Sequence, residues 1–197
     1  MPNALYTSVS WMIPIVLIPL DADGIVNGGS DTNLLYALNK AANKCVDDNN
    51  FQVCHLYRAT ITNGGQQAVS LSLEVKTTEN KASTAEGRSA FEDLTFQSLT
   101  GTTDDETAVV TYALDGTAKT LPTDNGDSTT IDGVTISAGT GTTEHYFVVY
   151  LAEANDDDDQ SEQMGAEFTG QLVYTTATGG NRLTGTFSFD DPGNEEG

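Results

Sequence analysis

Positive charge is what this sequence has least of: 8 Lys and Arg stand against 29 Asp and Glu, a formal net charge of −21. Phosphate contacts require a basic footprint, so the balance excludes nucleic acid as a partner and argues equally against docking on an anionic membrane surface. The acidic balance reads as a solvated coat that maintains solubility, with binding of divalent cations or a saline habitat as the alternatives. Long apolar runs are missing as well. The most hydrophobic stretch, WMIPIVLIPL at 11–20, is too short for a membrane span, which takes about 20 apolar residues, and Pro14 and Pro19 would break a helix there. The ten residues before it, MPNALYTSVS, carry no Lys or Arg, and no small-x-small site follows closely, so the run does not read as the core of a signal peptide. Histidine is limited to His55 and His145, and cysteine to Cys45 and Cys54. No CxxC and no spaced His pair offers a zinc site, and the GxSxG nucleophile motif is absent. Carboxylate pairs suited to glycoside hydrolysis arise by chance in so acidic a chain, and no aromatic-lined cleft is evident. The sequence reads as that of a protein that is not an enzyme and has no obligatory cofactor.

What is present is alternation. In FQVCHLYRATITN, Phe51, Val53, His55, Tyr57, Ala59 and Ile61 share one face, which makes His55 a packed core histidine. Asn63-Gly64-Gly65 is a turn signal. AVSLSLEVK then places Val69, Leu71, Leu73 and Val75 inward, and the two segments read as a hairpin. Residues 77–93 are polar and read as an exposed loop or a poorly packed excursion. Further strands are expected at 94–99, 107–114, 130–137, 145–152, 166–175 and 182–189, separated by Gly, Asp, Asn and Thr clusters. Many short strands with such spacing predict an all-β, jelly-roll-like sandwich. One helix is expected near 31–45, where Leu34, Leu35, Leu38, Ala41, Ala42 and Cys45 recur at helical spacing. Its apolar face should lie on the β core.

The apolar run at 11–20 reads best as an extended strand. Val9, Trp11, Ile13, Ile15 and Leu17 point one way, and Met12, Val16, Ile18 and Leu20 the other. Two prolines confine such a strand to an edge or an insertion. It belongs either to its own domain or to a neighbour. The domain plan is a strand at 1–20, a linker at 21–30 and one sandwich at 31–197. Cys45 and Cys54 enclose a turn-rich loop and can form a disulfide stapling helix to sheet if their Cα atoms approach within about 7 Å; two free thiols are the alternative. A disulfide favours an extracellular location. EANDDDDQSE gathers Glu153, Asp156, Asp157, Asp158, Asp159 and Glu162. Such an oxygen-rich loop suits Ca²⁺, or is a solvated acidic turn.

Two segments, YRATITNGGQQAVSLSLEV at 57–75 and EHYFVVYLAEANDDDDQSEQMGAEFTGQLVYTTA at 144–177, resemble strand pairs of the TasA and camelysin-like secreted fibre proteins, and in the same way those of archaeal bundling pili. Gln160, Gln163, Gly165 and Phe168 stand where that family has its recurrent Gln, Gly and apolar residue. The resemblance covers about 50 residues; the apolar opening, the helix and the cysteine pair depart from the family's pattern. It implies a jelly-roll subunit of an extracellular filament, polymerised with other copies of itself when the N-terminal strand of one subunit completes the sheet of the next. Val9, Trp11, Ile13, Ile15, Val16, Leu17, Ile18 and Leu20 would then form the polymerisation interface by strand addition. The run's gross burial term exceeds about 10 kcal/mol, before ordering costs. The alternatives are a monomeric adhesin or carbohydrate-binding module, with the strand in its own sheet, and a calcium-dependent surface-layer or capsid protein.

Overall fold

The structure is a computed structural model that describes residues 5–11, 54–103, 105–106, 110–136, 141–151, 160–163, 165–177 and 182–190. Among them run nine strands: β1 (Leu5–Trp11), β2 (Cys54–Asn63), β3 (Val69–Lys81), β4 (Leu94–Thr103), β5 (Val110–Thr120), β6 (Ser128–Ile136), β7 (Thr142–Leu151), β8 (Glu167–Thr176) and β9 (Arg182–Asp190). They form two sheets, ordered β1-β2-β7-β4-β5 and β6-β3-β8-β9, and every pairing is antiparallel. The expected all-β sandwich is what the chain builds. The orders β2-β7-β4-β5 and β6-β3-β8 are those of a jelly roll, whose eight strands wind as 2-7-4-5 in one sheet and 6-3-8-1 in the other. Here β9 takes the place beside β8 that a jelly roll gives its first strand, and β1 lies instead outside β2. The helix expected at 31–45 and the linker at 21–30 lie outside the described residues.

Alternation places the core between the sheets. Tyr57, Ala59 and Ile61 of β2, Leu71, Leu73 and Val75 of β3, Phe147 and Val149 of β7, and Phe187 and Phe189 of β9 are all buried in one cluster. Rings dominate its middle. Phe147 stacks on Tyr57 and Phe96 with centroids 5.0 and 4.8 Å apart, and Phe187 meets Phe147 edge-on at 5.6 Å, geometries that add to simple area burial. Gly170 on β8 makes room for one of these rings. A Cβ built there would lie 2.3 Å from Cζ of Phe187. Gly170→Ala is therefore expected to cost about 1–3 kcal/mol, the usual penalty of overpacking, as a lowered urea midpoint.

The outer face of the five-stranded sheet is buried in its middle too, at Leu56, Val148 and Tyr150 beside Cys54. Each belongs to the second phase of its strand, so this end of β2 and β7 is covered on both sides, while Arg58, Thr60 and Tyr146 farther along the same face are half-buried.

Two expectations need correction. The β2–β3 pair is not a hairpin: β2 bonds to β1 and β7, and β3 to β6 and β8, in the other sheet. A two-residue type I′ turn needs positive φ at both central residues, and neither Gly64 nor Gly65 adopts it. Asn63 builds a wider corner instead. Its Oδ1 accepts from Gly65 N at 2.9 Å and its Nδ2 donates to the Gln67 carbonyl at 2.7 Å. Nor is 77–93 simply an exposed loop, because β3 continues to Lys81 along β8. Polar side chains hold the extension: Thr77 donates to the Pro122 carbonyl at 2.6 Å and Thr78 to the Thr169 carbonyl at 2.8 Å. Asn80 bonds both backbone groups of Phe91 and so delivers that ring to the core.

Candidate functional site

Two places carry the functional candidates, at opposite edges of the five-stranded sheet. At the first, β1 pairs with β2 of its own chain in unbroken register from Leu5↔Asn63 to Trp11↔Tyr57. Positions 7, 9 and 11 fall opposite Ile61, Ala59 and Tyr57, the inward residues of β2. Val9 and Trp11 are thus paired in register with Ala59 and Tyr57. Ile13, Ile15, Val16, Leu17, Ile18 and Leu20 lie outside the described residues. Cys54 opens β2 opposite Tyr150 and is disulfide-bonded; Cys45, the only other cysteine in the sequence, lies outside the described residues.

Of the acidic run, Glu162 is exposed in a short 3-10 turn, Gln160–Gln163, while Glu153 and Asp156–Asp159 lie outside the described residues. Among the described residues no group of three or more His, Cys, Asp or Glu side chains could hold a metal ion. The Gln and Gly that prompted the family resemblance have structural work here. Gln163 is buried and its Oε1 accepts from Glu92 N at 3.0 Å, and Gly165 takes a φ of 73°, which favours glycine.

The second place is a cleft of about 380 Å³ at the other edge, where β4 and β7 meet β5 and β6; Ser98, Thr100, Asp115, Thr135, His145 and Tyr146 are among its lining. His145 is buried on the inner face of β7, and both its nitrogens are engaged. Nδ1 is 2.8 Å from the Tyr174 hydroxyl of the opposite sheet, and Nε2 is 3.0 Å from Ser98 Oγ. Burial lowers the imidazole pKa to about 4, partly offset by the Asp115 carboxylate, and pushes the Tyr174 phenol up. Both groups are neutral at pH 7. Glu144, also in the lining, is already committed: it pairs with Arg58 at 3.2 Å and accepts from the Tyr146 hydroxyl.

Ser98 and His145 are at the distance of a nucleophile and its base, but the protons run the wrong way. Tyr174 is fully buried, and its hydroxyl meets only His145 Nδ1 among the described residues. A buried O–H left without an acceptor is costly, so Tyr174 donates to Nδ1. The remaining proton of the neutral ring then sits on Nε2 and is donated to Ser98 Oγ. A nitrogen in that state cannot take a proton from serine.

The sequence carries only a faint trace of this cleft. Its signal was a polar break in the inward alternation: Ser98 follows Leu94 and Phe96 on β4, and His145 precedes Phe147 and Val149 on β7. Each break alone looks like ordinary strand variation, and only the β4–β7 register brings the two together.

No family model matches the sequence, and no curated protein does. Among solved structures the chain is similar to a FixG-related protein from Vibrio parahaemolyticus, at 10% identity and a TM-score of 0.40, covering 95% of this chain and 96% of that one. It is similar also to a family 123 glycoside hydrolase from Clostridium perfringens, at 11% identity and a TM-score of 0.39, covering 95% of this chain but 27% of that one. Both likenesses are too weak to carry an argument about function.

Proposed function

We propose that the protein is a structural subunit of an extracellular filament in which the N-terminal strand is exchanged between copies. The observation that carries this reading is the position of β1. Strands β2–β9 already supply two four-stranded sheets, and β1 is a fifth strand added at the edge of one of them. Residues 12–53 separate it in sequence from the strand it pairs with, a connection long enough to let the same pairing be made to the next copy. Head-to-tail exchange of this kind does not close and propagates as a fibre. The apolar run that starts at Trp11 would enter the same interface, covering an edge that is otherwise an aggregation hazard.

Negative-stain microscopy and size-exclusion chromatography of the intact chain and of a chain lacking residues 1–20 test this directly. Filaments are expected from the intact chain alone, with the shortened chain folded and monomeric. Monomers from both would overturn the reading. The pairing of β1 with β2 in one chain would then mark a monomeric binding module, the second reading.

A further inference from the structure

The cleft at Ser98 has no part in strand exchange, which uses the opposite edge of the same sheet. Its hydrogen-bond inventory decides what can enter it. Ser98 Oγ receives the proton on His145 Nε2, so the serine must donate its own proton elsewhere, and no acceptor among the described residues meets it. The cleft therefore offers a donor held in place by the relay from Tyr174 through His145. Asp115, exposed and also in the lining, offers only acceptors at neutral pH. Thr100 already donates to the Ala113 carbonyl at 3.4 Å and is left as an acceptor, while Thr135 adds a hydroxyl that serves in either sense. Among the described residues no Lys or Arg lines the cleft.

Three ligand chemistries can be set against this arrangement. A phosphate or carboxylate could accept from Ser98, but it would face Asp115 with no cationic side chain to offset the repulsion. An ammonium group could pair with Asp115, but it has no lone pair for the Ser98 proton. A hydroxyl does both, and two neighbouring hydroxyls on one ring satisfy serine and carboxylate together. The volume, about 380 Å³, falls in the range of small-molecule sites, about 300–1,000 Å³.

We propose that this cleft binds a neutral polyhydroxylated ligand, a sugar unit, with Ser98 donating to one hydroxyl and Asp115 accepting from its neighbour. Ligand-observed saturation-transfer NMR on the intact chain tests it, and works whether or not the chain is assembled. Glucose, galactose, mannose and the neutral trimer maltotriose are the probes; methylammonium and inorganic phosphate are the comparison ligands. Transfer to at least one sugar is expected, with affinity weakened about tenfold in Ser98→Ala, the loss of about one hydrogen bond, and weakened also in Asp115→Ala. Circular dichroism checks that both variants fold. The ¹⁵N shifts of His145 provide an independent arm and should show Nε2 protonated and Nδ1 bare. Absence of transfer to every sugar, undiminished transfer in Ser98→Ala, preference for methylammonium or phosphate, or a proton on Nδ1 would each overturn the proposal. None of these outcomes bears on filament formation, so the two readings fail separately.

Discussion

Phe187→Ala should destabilise the chain by about 3–5 kcal/mol, the range for truncating a buried aromatic ring. Phe187 has no exposed surface and touches rings on both sheets. Its centroid lies 5.5 Å from that of Tyr57, 5.6 Å from Phe147, 6.0 Å from Phe168 and 6.5 Å from Phe96. Flat rings fixed by their own strands collapse poorly into a hole, so most of the cavity should persist. The same ring fills the space above Gly170, which gives the prediction a second, sharper form. If the cost of Gly170→Ala comes mainly from the clash with Phe187, most of it should disappear in a Phe187→Ala background, where only the 2.9 Å approach to Cε1 of Phe168 remains for the added methyl group. Urea titrations of both single variants and the double variant close the cycle. A coupling of about 0.5–3 kcal/mol is expected between contacting sites. Additive losses would show that the Gly170 backbone or the Phe168 ring, not Phe187, is what matters there.

The strands were legible because period-two alternation is a local property, and each strand's inward set can be read without knowing its neighbours. Val69, Leu71, Leu73 and Val75 lie on the core side as the pattern requires. Pairing was less legible. Asn63-Gly64-Gly65 carries the same composition whether it closes a hairpin or turns a corner between sheets, and what decides is the bonding of the Asn63 side chain to residues 65 and 67. Polar extensions were missed for a related reason. Thr77, Thr78 and Asn80 hold strand and loop together through carbonyls more than ten residues away in sequence, which composition cannot register. The cleft lay furthest from the sequence, because Ser98, Asp115, His145 and Tyr174 come from four strands in two sheets. Among the described residues β1 lies at the sheet edge, while Pro14 and Pro19, on which the expectation of an edge or inserted strand rests, lie outside them.

Acidification from pH 7 to pH 5 should cost the fold about 4 kcal/mol through two histidines. His55 and His145 are 4% and 8% exposed, and both imidazoles are lowered by burial from 6.5 to about 4. His55 packs on Phe189 with centroids 4.8 Å apart, and its Nδ1 lies 3.0 Å from the Tyr57 hydroxyl. His145 is held by Tyr174 and Ser98, with the Asp115 carboxylate as its charged neighbour. Because each folded value lies below the unfolded one, the unfolded chain takes up the proton first. The full contribution is present above about pH 6.5, is lost as the pH falls toward about 4, and then levels off. At pH 5 the linkage amounts to about 2 kcal/mol per histidine. Carboxylates work against this trend, since protonating some of the 29 acidic residues relieves self-repulsion. They titrate mainly below about pH 5, so the histidines should dominate the upper part of the window. Urea denaturation at fixed chain concentration, at pH 7, 6 and 5, measures the slope. His145→Gln, which keeps hydrogen-bonding groups but cannot charge, should remove about half of it. A flat profile between pH 7 and 5, or an unchanged slope in that variant, would mean that the buried imidazoles take up protons without loosening the core.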